Sequence, residues 1–301
     1  MNLTILGSQG ALPKLNKYSS SHLLEVCNKY ILIDCCEGVQ FQLKRNKIKY
    51  SKIELILITH AHGDHFFGLI GLITTLSLLK RDKVLKVFCP VPVLKIIQAH
   101  IKYAKLKLSY EIKFYGLKSV HSEIIYENKN YFIRTIPLKH SIYTNGFLIK
   151  EKLKKRKLLL DKAIENKINK IYFNKLTKGF NVINDDGIEI NYLDVTVMGE
   201  KSKSFAYCSD TAYTESIIGL IKEVDLLYCE STFLEKHRDK AIITCHSTAK
   251  DAGTLALNAK AKKLIIGHFS SRYDNLDQFL SETKEIFKNV ILSEEGKKID
   301  I

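Results

Sequence analysis

Four side chains able to hold a metal ion fall within six positions at His60-Ala61-His62-Gly63-Asp64-His65, directly behind the apolar run Leu55-Ile56-Leu57-Ile58. A short apolar run bounded by turn residues reads as a buried strand, so the hexapeptide is a loop at a strand end. In an extended segment His60, His62 and Asp64 point to one side, and His65 follows on the turn. Imidazole suits zinc and similar divalent ions, while a carboxylate ligates metal or takes a proton. The spacing can therefore serve two neighbouring ions. A polar loop whose histidines are only hydrogen-bonded is the plainer reading, and the density of ligand types behind a strand argues against it.

The rest of the chain repeats the theme. Apolar runs at 3–6, 21–26, 30–33, 54–59, 84–89, 131–136, 204–209, 224–229, 263–267 and 290–292 read as strands, and helices are predicted near 39–45, 68–79, 92–105, 248–260 and 275–288. Alternating strands and helices predict α/β layers. His140, Asp210, Glu230 and His268 each follow one of these strands, and His246 stands at a helix entry where Thr248 and Asp251 are spaced as a capping box. Open α/β sheets bind ligands at strand ends, so these residues are expected to converge on the 60–65 loop. A single isolated histidine such as His140 is more often structural, and it gains weight because the first motif needs further ligands.

With 301 residues, no linker and no repeat, the chain reads as one domain, 1–301, with one insertion. No window approaches the roughly 18 unbroken apolar residues of a membrane span. Residues 1–7 read as a first strand rather than an export signal, so the cytoplasm is the expected compartment and no membrane partner is expected. Seven cysteines without a Cys-x-x-Cys pair read as reduced core residues, Cys208 among them.

The formal net charge is +15, and residues 150–178 hold 11 Lys/Arg against three acids, or +8 of that excess. Leu160, Ile164, Ile168 and Ile171 recur there at helical spacing with Asp161 available as a cap, so a helical arm, 150–180, is expected to pack one face and present lysines on the other. An extended polyanion is the natural partner for such a patch. Lysine-rich surfaces also arise with no ligand at all, and overall charge alone leaves both readings open.

The segment His-X-His-X-Asp-His resembles the signature of the metallo-β-lactamase superfamily, hydrolases built on an αββα sandwich. The later blocks, Cys208-Ser209-Asp210-Thr211, Glu230-Ser231-Thr232-Phe233, His246-Ser247-Thr248-Ala249 and Gly267-His268-Phe269-Ser270-Ser271-Arg272-Tyr273, narrow the resemblance to ribonuclease Z, the transfer RNA 3′-processing endonuclease family, in its short form. This implies an α/β fold (α+β in some schemes), an αββα sandwich with an inserted basic arm for gripping substrate. It also implies two zinc ions per subunit, with manganese or cobalt as substitutes in vitro. His60, His62 and His140 would hold one ion, Asp64, His65 and His268 the other, and Asp210 would bridge them. Asp64 is the implied proton acceptor, and His246 with Glu230 the group that protonates the leaving oxygen. The implied substrate is precursor transfer RNA, cut to leave a 3′-hydroxyl on the transfer RNA and a 5′-phosphate on the trailer, by a homodimer.

Substrate contacts are expected from the arm, at Lys154, Lys155, Arg156 and Lys157 among others, and from Ser270, Ser271 and Arg272 near the site, since an Arg fork suits phosphate oxygens. Two segments depart from the family pattern. Residues 13–20 lack the arginine usual in that loop, and the arm has Ile171-Tyr172-Phe173-Asn174 in place of a Gly-Pro step. Two other readings compete: another hydrolase of the same superfamily, or a transfer RNA binding protein whose site has decayed.

Overall fold

The apolar runs do form strands, and their order in space explains why several of them had to be connected by helices. The computed structural model describes residues 1–199 and 201–301. They form two compact units, one of Met1–Glu127, Phe132–Ile149 and Lys203–Ile301, the other of Asn128–Tyr131 and Lys150–Ser202.

In the larger unit the first sheet has seven strands in the order Lys298–Asp300, Asn2–Gly7, Ser21–Val26, Lys29–Ile33, Ile53–Leu57, Leu85–Pro90 and Ile112–Leu117. Neighbours are antiparallel up to Lys29–Ile33 and parallel beyond it. A parallel neighbour cannot be reached by a tight turn, so the chain crosses over through helices. These are Val39–Arg45, Gly68–Leu78 and Val91–Tyr103. Their apolar faces, including Val39, Leu43, Leu69, Leu72, Leu76, Val93 and Ile97, share one core with the sheet residues Leu32, Ile56 and Val87. The second sheet runs Val290–Leu292, Leu264–Gly267, Leu226–Glu230, Ser204–Cys208, Asn145–Glu151, Tyr131–Pro137 and Ile124–Glu127. Its first four strands are parallel. Helices Ala249–Asn258 and Asp277–Ile286 cover it through Ala249, Ala252, Leu255, Ala256 and Phe279. The layers are thus helix, sheet, sheet, helix, as expected from the strand–helix alternation.

Between the sheets lie buried aromatic side chains that carry polar tips. The Tyr207 and Tyr228 rings stack at 4.6 Å. Tyr207 donates from its hydroxyl to Asp34 Oδ2 at 3.2 Å, and the Tyr228 hydroxyl meets Ser20 Oγ at 3.2 Å. His22 stands edge-on to both rings, at 5.0 and 4.3 Å. Burial lowers its pKa to about 3, with the positive His65 adding to the effect, so it packs as a neutral ring.

The smaller unit corrects the reading of the arm. A helix with Leu160, Ile164, Ile168 and Ile171 on one packed face was expected; the segment is instead broken into helix Leu160–Glu165, a 3₁₀ turn at Lys170–Tyr172 and helix Phe173–Thr177. Asp161 lies inside the first turn rather than at the cap, which is Leu159. Of the four apolar residues only Ile168 is buried. It packs with Ala163, Leu176, Val182, Ile190 and Val195. The break has a local cause. Lys167 takes φ 48 and Asn169 starts a new turn by accepting from the Ile171 amide at 3.1 Å, so the helical phase is lost between Ile164 and Ile168. Three of the core partners lie beyond the stretch in which the spacing was read: Val182 and Ile190 in the hairpin of Val182–Ile183 and Glu189–Ile190, and Val195 in helix Tyr192–Val195.

Candidate metal centre

Strand Ile53–Leu57 runs into the 60–65 loop, where His62 precedes the short helix Gly63–Phe66. The loop is held from behind by backbone. Cys35 N–H donates to His65 O at 2.7 Å and Gly68 N–H donates to Cys35 O at 3.0 Å. That approach requires glycine at 68, since a Cβ there would stand 2.0 Å from Cys36 O. His60 and His65 are fully buried, and Asp210 and His268 nearly so.

Five imidazoles and two carboxylates converge. His60 Nε2 lies 3.0 Å from His62 Nδ1, which lies 3.4 Å from His140 Nε2. Asp210 turns one oxygen to each half of the cluster: Oδ2 lies 3.6 Å from His60 Nε2 and 3.9 Å from His140 Nε2, while Oδ1 lies 3.3 Å from both His65 Nε2 and His268 Nε2. Asp64 Oδ2 joins the second half, 3.3 Å from His65 Nε2 and 3.9 Å from His268 Nε2.

Why Nε2 faces inward in four of the five imidazoles follows from what holds their Nδ1. His65 Nδ1 donates to Asp34 Oδ2 at 2.8 Å and His140 Nδ1 to the Cys245 carbonyl at 3.0 Å. The Thr59 hydroxyl donates to Asp34 and so accepts from His60 Nδ1 at 2.9 Å. The Thr232 hydroxyl donates to Glu230 Oε2 at 2.6 Å and accepts from His268 Nδ1 at 2.9 Å. With the proton fixed on Nδ1, the Nε2 lone pair is left for a cation, the usual arrangement around ligating histidines. Asp64 Oδ2, His65 Nε2 and His268 Nε2 are buried without a hydrogen-bond partner, a combination costly in a dry interior and satisfied by a cation. The sets His60–His62–His140–Asp210 and Asp64–His65–His268 each fit around one ion.

The electrostatics agree with a site built for positive charge. Burial alone would lower the His65 pKa, but the carboxylates of Asp210, Asp34 and Asp64 outweigh it and raise it well above the ordinary imidazole range, and the same negative charge that favours a second proton at Nε2 favours a metal cation in its place. Burial, together with the neighbouring imidazoles, His65 first among them, keeps His60 well below that range. Asp64 and Asp210 stay ionised despite burial, because of the imidazoles around them.

His246 is a different kind of group. Its Nδ1 lies 2.6 Å from Glu230 Oε1, and Glu230 is fully buried, accepting also from the amides of Thr211 at 2.8 Å and Thr232 at 3.0 Å. Burial would lower the His246 pKa; the charge and hydrogen bond of Glu230 more than reverse this and raise it to about 9. His246 therefore holds a proton at neutral pH beside the cluster, its ring 5.0 Å from that of His140. Although Asp210, His246 and His268 form a third set close enough for one ion, a protonated imidazole is a poor ligand.

The cluster opens into a cleft of 640 Å³ lined by His62, Asp64, His140, Asp210, His246, His268, Ser270 and Ser271. Arg272 is not itself a lining residue but lies on two that are, its guanidinium over the Phe233 ring at 5.1 Å and its Nε donating to Ser270 Oγ at 3.1 Å. Lys154, Lys155, Arg156 and Lys157 belong to the smaller unit. Arg156 serves that unit's own structure, donating from Nε to Thr196 Oγ1 at 2.6 Å and lying 5.0 Å over the Tyr192 ring. Sequence reasoning missed Asp34, Thr59, Thr232 and the Cys245 carbonyl. Asp34 had a visible sign, since it ends strand Lys29–Ile33 as the other site residues end theirs.

An αββα sandwich with a His/Asp cluster at the ends of its parallel strands defines a protein of the metallo-β-lactamase fold. The chain is similar in structure to human tRNase Z, short form, with a TM-score of 0.73 at 25% identity, covering 100% of this chain and 99% of that one. It is also similar to the metallo-β-lactamase fold protein YhfI from Bacillus subtilis, with a TM-score of 0.70 at 17% identity, covering 99% and 98%. In sequence it is 43% identical to ribonuclease Z of Cytophaga hutchinsonii over 98% of this chain and 94% of that protein, and 37% identical to ribonuclease Z of Phocaeicola vulgatus over 99% and 96%. A sequence-family model described as Anti-Pycsar protein Apyc1 matches residues 1–154, a span that carries residues 60–65 and His140 and ends before Asp210. The chain belongs to the ribonuclease Z family.

Proposed function

We propose that this chain is a metal-dependent endoribonuclease that removes 3′ trailers from precursor transfer RNA. The observation that carries the reading is a two-sided Asp210 inside a chain similar to ribonuclease Z over nearly its whole length. Zinc, two ions per subunit, suits five imidazoles and two carboxylates, with manganese or cobalt as substitutes in vitro. His60, His62 and His140 would hold one ion, Asp64, His65 and His268 the other, with Asp210 between them.

Bound divalent ions supply Lewis acidity, lowering the pKa of water and offsetting charge on the phosphoryl oxygens. The residues do the rest. Asp64, ionised at the mouth of the cleft, accepts the proton of the attacking water as its oxygen bonds to phosphorus. The P–O3′ bond breaks, and His246, kept charged by Glu230, gives its proton to the departing 3′ oxygen. The products are a transfer RNA 3′-hydroxyl and a trailer 5′-phosphate. The 150–180 insertion would grip the folded RNA through its phosphates, with Ser270 and Ser271 meeting the chain near the cut. We place the enzyme in the cytoplasm as a homodimer, which sedimentation tests; among the described residues no helix is long and apolar enough to cross a membrane.

The Apyc1 match keeps a second reading in view, another hydrolase of the same fold. One assay separates the two. Purified protein with zinc or manganese is expected to cut a 3′-extended precursor transfer RNA once, and no cutting under any metal overturns the proposal.

A further inference from the structure

We infer that Arg238 is a positioning residue, a clamp that holds the Cys245–Ser247 turn against the metal centre; the inference rests on the proposed ribonuclease activity. The turn matters because it delivers two groups at once. The Cys245 carbonyl accepts from His140 Nδ1 at 3.0 Å, and His246 Nδ1 meets Glu230 at 2.6 Å. Yet the helix that carries it, Arg238–Thr244, is held by little apolar packing. It has seven residues and buries only Ala241, while Ile242 and Ile243 are 66% and 79% exposed. A helix this short does not persist by its own hydrogen bonds, and it ends in Cys245 at φ 55, a left-handed cap that costs a non-glycine residue some stability.

What surrounds it is a closed polar network. The Arg238 guanidinium forks to Glu235, Nε to Oε1 at 2.6 Å and Nη2 to Oε2 at 2.8 Å. It also reaches Asp251, Nη1 to Oδ2 at 3.3 Å and Nη2 to Oδ1 at 2.9 Å, and Thr248 Oγ1 at 3.2 Å. Thr248 and Asp251 are the capping box of the next helix, Ala249–Asn258, and Thr248 Oγ1 donates to Glu235 Oε2 at 2.9 Å. One planar cation therefore ties the start of the exposed helix to the start of the buried one, and the chain between them can only project toward the site. Inside this closure the His246 amide donates to Ala241 O at 2.8 Å and Ser247 Oγ to Thr211 O at 2.6 Å. A lysine cannot reproduce the closure, because a point charge does not fork to two carboxylates.

The test compares wild type, Arg238→Ala, Arg238→Lys, His246→Ala and the double variant Arg238→Ala/His246→Ala on precursor transfer RNA. Arg238→Ala is expected to lower kcat about tenfold with KM within about twofold, since small displacements of a proton donor cost rate rather than binding. Arg238→Lys is expected to recover only part of it. In the His246→Ala background the Arg238→Ala change is expected to cost clearly less than about tenfold, the remainder being what the turn passes to His140 through the Cys245 carbonyl; a loss that multiplies in full, an effect on KM alone, or an unchanged kcat overturns the inference. Amide exchange on the same proteins reads it without substrate. The His246 amide is expected to exchange at least about tenfold faster in Arg238→Ala while strand Leu226–Glu230 keeps its protection. Equal protection at His246 in both proteins overturns the clamp. Should wild type cut no RNA, the functional reading fails by itself, and exchange still decides the clamp.

Discussion

Around the candidate metal centre four of the five imidazoles are oriented by a group behind the ring, and Asp34 shows the economy of the device. Its two oxygens hold the Thr59 amide and hydroxyl, accept from Tyr207 and fix the His65 proton on Nδ1, so one buried carboxylate sets two ligand rings. Asp34→Asn keeps the volume and removes the charge. It is expected to weaken metal affinity about 10–100-fold, the usual effect of losing such a partner, which chelator competition measures. Asp64→Ala is expected to abolish cleavage while RNA affinity in gel-shift titrations stays within about a few fold, since the residue acts on water and metal rather than on the folded RNA. Glu230→Gln keeps the volume but takes away the charge that holds His246 protonated, together with one of the two acceptor oxygens. A fall in kcat of about 10²-fold or more is expected in single-turnover kinetics, and an unchanged rate would remove His246 from the proton-donor role.

At the scale of elements, strand ends deliver the cluster, and the insertion is the proposed grip on substrate. Parallel strands present their carboxyl ends together, and for this reason Asp210, Glu230 and His268, far apart in the chain, arrive at one place. Within the insertion, basic residues divide by what they touch. Arg156 braces the smaller unit through Thr196 and Tyr192, so Arg156→Ala is expected to loosen it, visible as local proteolysis. Replacing Lys154, Lys155 and Lys157 together by alanine is expected to raise KM with little change in saturated turnover. It is also expected to make log K against log salt shallower by about 0.7–0.9 for each RNA phosphate that the variant leaves unneutralised. A salt slope equal to wild type would take these lysines out of substrate binding.

At the scale of the whole molecule, His22 makes the core between the sheets sensitive to acid. His22 has its pKa depressed to about 3 in the folded chain, against an ordinary 6.5 once unfolded. Below 6.5 the unfolded chain binds a proton that the folded one refuses, so stability is fully present above that pH and falls as pH drops toward 3. Between pH 6.5 and 5 this is about 2 kcal/mol. His22→Phe, placed between Tyr207 and Tyr228, is therefore expected to lose less stability than wild type over that interval, as read from denaturant midpoints at the two pH values. A parallel loss in both proteins would assign the acid sensitivity elsewhere.

Residues 60–65 were legible because local spacing after a strand is itself the ligand pattern, and the layered fold because strand and helix periods are written within each segment. Thr248 and Asp251 likewise form the capping box their spacing announced, since a cap is closed by neighbours in sequence. The insertion was misread for the opposite reason: whether Ile164 or Val182 lies inside depends on partners brought by a hairpin outside the stretch. Asp34, Thr232 and the Cys245 carbonyl escaped because second-layer contacts join residues whose types are ordinary and whose separation along the chain is long. The amino-acid sequence alone thus determined that a metal-binding cluster would sit at strand ends in an α/β sandwich with a basic insertion. Only tertiary structure decided that Asp210 faces both halves of that cluster, that buried Glu230 meets His246 and that the Arg238 guanidinium joins Glu235 to the capping box of the next helix, because orientation and pairing are set by what is adjacent in space rather than along the chain.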